Sequence, residues 1–232
     1  MASPWESRPG HGVLAFSGYL FDMDGLLLDS ERIAKEGFLR ACSHFGIGQR
    51  EALFNRLIGI KWETAVEILH DALSAEVDAS AFCDYWDADY HRFTEDEPVP
   101  LKPGVTRLLD ILSSEGRPMA VATSTRHASA VAKLARCGIL GYFKSVIGGD
   151  EVREGKPHPE IYLKAAEALD CDPRDCLAFE DSERGTRAAL ASGATVVQVP
   201  DLLPPTAELL QLGPVVLGKI DDVLDYPFPA RE

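Results

Sequence analysis

Apolar residues recur along this chain in two rhythms. Through residues 33–45, 51–58, 62–73 and 82–93 they return every three or four positions with little alternation, which stacks them on one helical face and predicts a block of four helices. Elsewhere short continuous apolar runs alternate with helical stretches. Residues 19–21, 118–123, 144–148, 176–180 and 195–199 read as buried strands, with a last short one at 215–217. Between them, 106–114, 129–137, 159–169 and 184–192 read as helices, three of them stopped by Gly116, Gly138 and Gly193. Strands apolar on both faces, alternating with helices, predict an α/β fold with a mostly parallel sheet covered on both sides. The helical block interrupts it as an insert whose aromatics, among them Phe38, Trp62, Phe82 and Trp86, form a small core of their own. The Pro- and Gly-rich stretch PVPLKPG at 98–104 marks the return from the insert and, with residues 29–31, supplies two hinges. The expected division is a loose tail at 1–14, a core from 15–30 and 99–232, and a helical lobe at 31–98.

Polar chemistry gathers where the predicted strands end. YLFDMDGLLLDS at 19–30 delivers Asp22 and Asp24 at the end of the first strand, two positions apart and so aimed to the same side, with Gly25 allowing a sharp turn after them. Two carboxylates sharing a small site call for a cation between them or a proton on one. The second strand ends in Thr123, Ser124 and Thr125, the fourth in Glu180 and Asp181, and Lys156 precedes the helix after the third. In parallel sheets ligands bind beyond these carboxyl ends. Asp-x-Asp-Gly alone reads equally well as a turn; the company it keeps argues for a site.

FDMDG at 21–25, AVATST at 120–125, GKPHP at 155–159 and FEDSERG at 179–185, in this order, resemble the four motifs of the haloacid dehalogenase-like phosphotransferases, and the resemblance spans residues 19–216. It implies a Rossmann-like three-layer α/β/α core carrying an all-helical cap. Further implications are a nucleophile, Asp22, that forms an aspartyl-phosphate, and a general acid and base, Asp24, whose pKa is raised toward neutrality. Mg²⁺ would be held by Asp22, the backbone carbonyl of Asp24 and Asp181, with Glu180 a further ligand or a supporting partner. Thr123 and the N–H groups around Ser124 would bind phosphoryl oxygens, and Lys156 would set a positive charge against nucleophile and phosphate. Ser124, Thr125, Arg126 and, from the cap, Lys61 are the expected substrate contacts; Trp62, Glu31, Arg32 and His127 are weaker candidates. Within that superfamily a helical cap in this place is similar to the β-phosphoglucomutase and sugar-phosphatase group. The mutase carries a histidine where this chain has Ala34, which favours hydrolysis of a small phosphomonoester over mutase chemistry. The dehalogenases lack an acid at the place of Asp24, and a non-catalytic phosphate-binding protein would have no use for one.

With 37 acidic against 23 basic residues and a net charge of −14, the chain is not expected to bind nucleic acid or an anionic membrane surface. An anionic substrate then requires cations concentrated inside the site. Five cysteines with no C-x-x-C pair suit reduced thiols, hence a cytoplasmic protein. The expected partner is a small phosphorylated metabolite, and the expected state a monomer.

Overall fold

The computed structural model describes residues 12–95 and 98–228. Six strands form one parallel sheet: β1 (Gly18–Phe21), β2 (Met119–Ala122), β3 (Ser145–Ile147), β4 (Cys176–Glu180), β5 (Thr195–Gln198) and β6 (Val215–Val216), in spatial order 3-2-1-4-5-6. The central strands β1, β2 and β4 are buried along their whole length, as their unbroken apolar runs require. Alternate side chains serve the two layers. Tyr19, Phe21, Val121 and Phe179 face one cluster, which receives Leu108 and Leu112 of a helix at Val105–Ser114 and Leu134 of a helix at His127–Arg136. Phe21 stacks on Phe179 with centroids 4.8 Å apart. Leu20, Ala120, Ala122 and Ala178 face the other layer, where Tyr162 and Ala165 of a helix at Glu160–Ala168 and Ala188 of a helix at Glu183–Ala191 pack.

The four helices of the insert are α1 (Ser30–His44), α2 (Glu51–Asn55), α3 (Trp62–Leu73) and α4 (Ala79–Glu95); the core helices just given follow as α5 (Val105–Ser114), α6 (His127–Arg136), α7 (Glu160–Ala168) and α8 (Glu183–Ala191), with α9 at Ala207–Leu210. The insert builds a separate cluster around Phe38, whose ring meets those of Phe82 and Trp86 edge-on at 5.5 and 5.3 Å. The helix predicted to reach residue 58 stops at Asn55. The chain then turns through Gly59, whose positive φ of 72° and approach to Ser182, only 3.0 Å from where a Cβ would lie, suit glycine. The helical lobe therefore touches the loop after β4. α9 and the 3₁₀ segment Ile220–Asp225 were not predicted, being too short to show a helical period.

The two stretches expected to serve as hinges are paired with each other. Asp29 N–H donates to the Pro100 carbonyl at 2.8 Å and Lys102 N–H to the Leu27 carbonyl at 3.0 Å, with Leu28 and Leu101 bridged antiparallel. Residues 1–11 of the expected tail lie outside the described residues, but 12–14 are not loose. Gly12–Ala15 is a 3₁₀ turn with Val13 buried, and the Val13 carbonyl accepts a 2.6 Å hydrogen bond from Tyr19 Oη, because a buried phenol needs an acceptor. Among the described residues no helix is long and apolar enough to cross a membrane.

Candidate active site

The strand order reverses between β1 and β4, so the loops after β1, β2 and β4 open onto one crevice at the carboxyl edge of the sheet. Asp22 is pinned there because its N–H extends the ladder to the Phe179 carbonyl at 3.0 Å. Lys156, almost fully buried, donates from Nζ to Asp22 Oδ1 at 2.8 Å and to Glu180 Oε1 at 2.6 Å. Asp22, Glu180 and Asp181 offer oxygens all within 4.8 Å of one another. Asp181 leans over the turn after β1: a Cβ on Gly25, whose φ is +81°, would sit 2.3 Å from Asp181 Oδ2. Only glycine leaves the Asp24–Gly25 peptide and the Asp181 carboxylate face to face.

The three acids are not equivalent. Both oxygens of Glu180, a fully buried side chain, are taken by donors: Lys156 Nζ and Tyr162 Oη (2.7 Å) on Oε1, the N–H groups of Asp181 (3.0 Å) and Ser182 (3.1 Å) and Ser182 Oγ (3.0 Å) on Oε2. Burial opposes its charge, but Lys156 and these donors outweigh burial and hold its pKa below the usual range. Five donors exhaust a carboxylate's roughly four lone-pair directions, so of the two roles expected for Glu180 the geometry favours the supporting one. Asp22 is instead pushed up to about 7, by burial above all and then by Glu180 and Asp24, despite Lys156. Asp181 is pushed well above the ordinary range by burial, Glu180 and Asp22. Lys156 stays protonated, the pull of Asp22 and Glu180 exceeding the cost of its burial. Two carboxylates that repel their own charge, facing each other beside a backbone turn, suit a hard divalent cation with oxygen ligands.

Asp24 departs from expectation. It is set apart from the pair: Ser30 Oγ donates to Oδ1 at 2.7 Å, Thr125 Oγ1 to Oδ2 at 2.7 Å, and Lys133 Nζ to Oδ1 at 3.3 Å. Burial would raise its pKa, but Lys133 with the two hydroxyls more than offsets burial and lowers it. The expected rise toward neutrality is absent because a buried cation, unmarked by any motif, faces this carboxylate. The loop after β2 is held by Thr123 Oγ1, which accepts from Thr125 N–H at 3.1 Å, and runs into the start of α6. Gly149 lets β3's loop approach, since a Cβ there would meet the Ser124 carbonyl at 2.2 Å.

A cavity of about 360 Å³ lies over these groups, with Asp22, Asp24, Thr123, Lys156 and Asp181 on its floor and Phe54, Leu57, Ile60, Trp62 and Trp86 of the helical lobe opposite. Ser124, Thr125 and Arg126 line it as expected, and Arg126 pairs with Glu63 of α3 across the gap. Lys61 does not line it. Its Nζ donates to the Val152 carbonyl at 3.3 Å and its stem crosses Gly155, in a neighbouring groove; the next residue, Trp62, is the one that faces the cavity. His127 bonds to Asp150, Val146 and Glu151 and is not among the lining residues. Glu31 does line it, its carboxyl pushed up to about 8 by burial and the nearby Asp24, Asp201 and Asp22. Lys133 and Tyr90 complete the wall. No sequence signal pointed to Lys133, and Tyr90 stood among the aromatics expected to fill the lobe's own core.

A doubly layered parallel sheet with acids and a lysine converging at its switch point, under a helical lobe, defines a class of phosphoryl-handling α/β enzymes. Residues 19–199 match the family model of the haloacid dehalogenase-like hydrolases, and the chain belongs to that family. It is 33% identical over 207 residues to the phosphorylated carbohydrates phosphatase of Thermotoga maritima, covering 89% of this chain and 95% of that protein. It is 32% identical to the fructose-1-phosphate phosphatase YqaB of Escherichia coli, covering 79% and 96%. Among solved structures, a putative β-phosphoglucomutase from Thermotoga maritima superposes with a TM-score of 0.72 at 33% identity, over 90% of this chain and 97% of that one.

Proposed function

We propose that this protein is a Mg²⁺-dependent phosphatase of small phosphomonoesters, sugar or polyol phosphates in the first place, that works through an aspartyl-phosphate on Asp22. The observation that carries the reading is the buried Lys156 bridging Asp22 and Glu180 with Asp181 alongside, at the floor of the cavity between core and helical lobe. The names of the two phosphatase relatives support the substrate class.

In the first half-reaction an Asp22 oxygen bonds to phosphorus as the bond from phosphorus to the ester oxygen breaks, and the departing oxygen takes a proton from Asp24. Lys156 orients Asp22 by its 2.8 Å bond and sets a fixed positive charge against the phosphoryl group. The hydroxyl of Thr123 and the N–H groups entering α6 hold the other phosphoryl oxygens. A dianionic phosphoryl group beside Asp24 raises its proton affinity for this step. In the second half water attacks phosphorus, gives its proton to Asp24 and restores Asp22 with release of phosphate; the pull of Lys133 toward the carboxylate form suits Asp24 as base here. Asp22, the Asp24 carbonyl and Asp181 would hold Mg²⁺, which would supply neutralisation of the phosphoryl charge. Glu180 supports Lys156 and the loop after β4.

A mutase reading finds no support at Ala34, which presents only a methyl group in the cavity lining. The test is hydrolysis of p-nitrophenyl phosphate with and without Mg²⁺ by wild type and Asp22→Asn. Wild-type turnover that needs Mg²⁺ and is lost in the variant is expected; turnover surviving Asp22→Asn overturns the covalent route. A hexose 1-phosphate should yield free phosphate rather than the 6-phosphate.

A further inference from the structure

Lys133 belongs to an Ala-rich helix, α6, whose apolar face packs on the sheet. A lysine on such a helix ordinarily points to solvent. This one is 6% exposed, and its ammonium has two partners: Asp24 Oδ1 at 3.3 Å and Tyr90 Oη at 2.7 Å, with its Nζ 4.8 Å from the centroid of the Tyr90 ring. Tyr90 is carried by α4 in the helical lobe; Asp24 and Lys133 belong to the core. The ammonium is deep enough that leaving it unpartnered would be costly, and its two partners, one in the core and one in the lobe, fix its position. Ser30 and Thr125 fix the Asp24 carboxylate from other directions, and Lys133 supplies its only cationic contact among the described residues.

We infer that Lys133 is a positioning residue for proton transfer at the leaving group, held in register by Tyr90 of the helical lobe. It does not touch the reacting atoms; it holds the Asp24 carboxylate where the ester oxygen departs. This rests on the reading of Asp24 as the acid and base and extends it to a residue outside the four motifs. The reaction then depends on Lys133 in proportion to how much the leaving oxygen needs its proton.

The experiment compares kcat/KM for p-nitrophenyl phosphate and phenyl phosphate, two esters of similar size whose leaving oxygens differ widely in basicity, in wild type, Lys133→Met and Tyr90→Phe. Because kcat/KM reports the step that forms the aspartyl-phosphate, the ratio of p-nitrophenyl to phenyl ester isolates the help given to the leaving group. In Lys133→Met the ratio is expected to rise about tenfold or more, within the range a positioned acid contributes. In Tyr90→Phe, which removes one oxygen, it should rise about two- to fivefold, the loss of one hydrogen-bond partner. A ratio equal to that of wild type in both variants overturns the inference, since a merely structural role lowers both esters in parallel. Should Lys133→Met not fold, Tyr90→Phe decides by the same ratio. The underlying reading fails separately: Asp24→Asn would then leave the ratio of the two esters as it is in wild type.

Discussion

Replacing Glu180 by glutamine alters charge and hydrogen-bonding character with almost no change of volume, and the surroundings of Glu180 make that change expensive. Gly185 leaves no slack, since a Cβ there would lie 1.7 Å from Oε1. Both carboxylate oxygens face donors: an ammonium and a phenol on one side, two backbone N–H groups and a hydroxyl on the other. The hydroxyls can turn to accept, but an ammonium and a backbone N–H cannot. Whichever way the amide is placed, its NH₂ confronts groups that only donate, and Lys156 loses its buried counter-charge. Breaking one partner of a buried pair costs about 3–5 kcal/mol, a large share of the roughly 5–15 kcal/mol that holds a domain together. At about 2–4 °C per kcal/mol for a chain of this size, Glu180→Gln should melt roughly 6–20 °C below wild type by calorimetry. Mg²⁺ should still raise its melting temperature, because Asp22 and Asp181 remain, whereas Asp181→Asn should lose most of that gain. A Glu180→Gln protein melting within about 2 °C of wild type would refute the reasoning, as would one folded normally but blind to Mg²⁺.

Two further outcomes follow from the acidic centre. Gly25→Ala places a methyl group 2.3 Å from Asp181 Oδ2 at φ +81°, adding about 1–2 kcal/mol of backbone strain and displacing Asp181; calorimetric titration should show Mg²⁺ binding weakened at least about tenfold. The folded-state pKa of Asp22, about 7 against an ordinary 3.8, is raised, so its contribution to stability is present at acid pH and lost as pH climbs from about 4 through 7. Mg²⁺ replaces the proton there, and its stabilisation, about 2.7 kcal/mol at a hundred times the dissociation constant, should be larger at about pH 8 than at about pH 5.5; equal gains at the two values would remove Asp22 from the cation site.

The parts of the site legible in the sequence were those written at strand ends. Asp22, Thr123 and Asp181 follow β1, β2 and β4 directly, and a residue just past a buried parallel strand has one place to go. Lys156 was legible for its Gly and Pro neighbours. What the sequence hid depends on groups brought together from far along the chain. Lys133 reads as one more polar residue on an alanine-rich helix until Asp24, 109 positions away, is seen against it, and this is why the pKa of Asp24 moves opposite to expectation. Between the two roles the sequence left open for Glu180, further ligand or supporting partner, it is the five donors on its carboxylate that favour the second. Lys61 and Trp62 stand next to each other where α3 begins, so the choice of which faces the cavity is set by the turn at Gly59 rather than by residue type. The core and the helical block were legible because their periodicities differ; α2's early end and the short α9 fall below the length at which a period shows.

The antiparallel pairing of Leu28 with Leu101 has a consequence for how such a protein can change. The chain leaves the sheet and comes back through neighbouring threads tied by their own amides, so β1 lies before the insert and the other five strands after it. Whatever is spliced between those threads can be lengthened or reshaped with little demand on the loops that follow the strands, provided a group in the place of Tyr90 still meets Lys133, and preference for one alcohol over another can drift while the apparatus beneath stays constant.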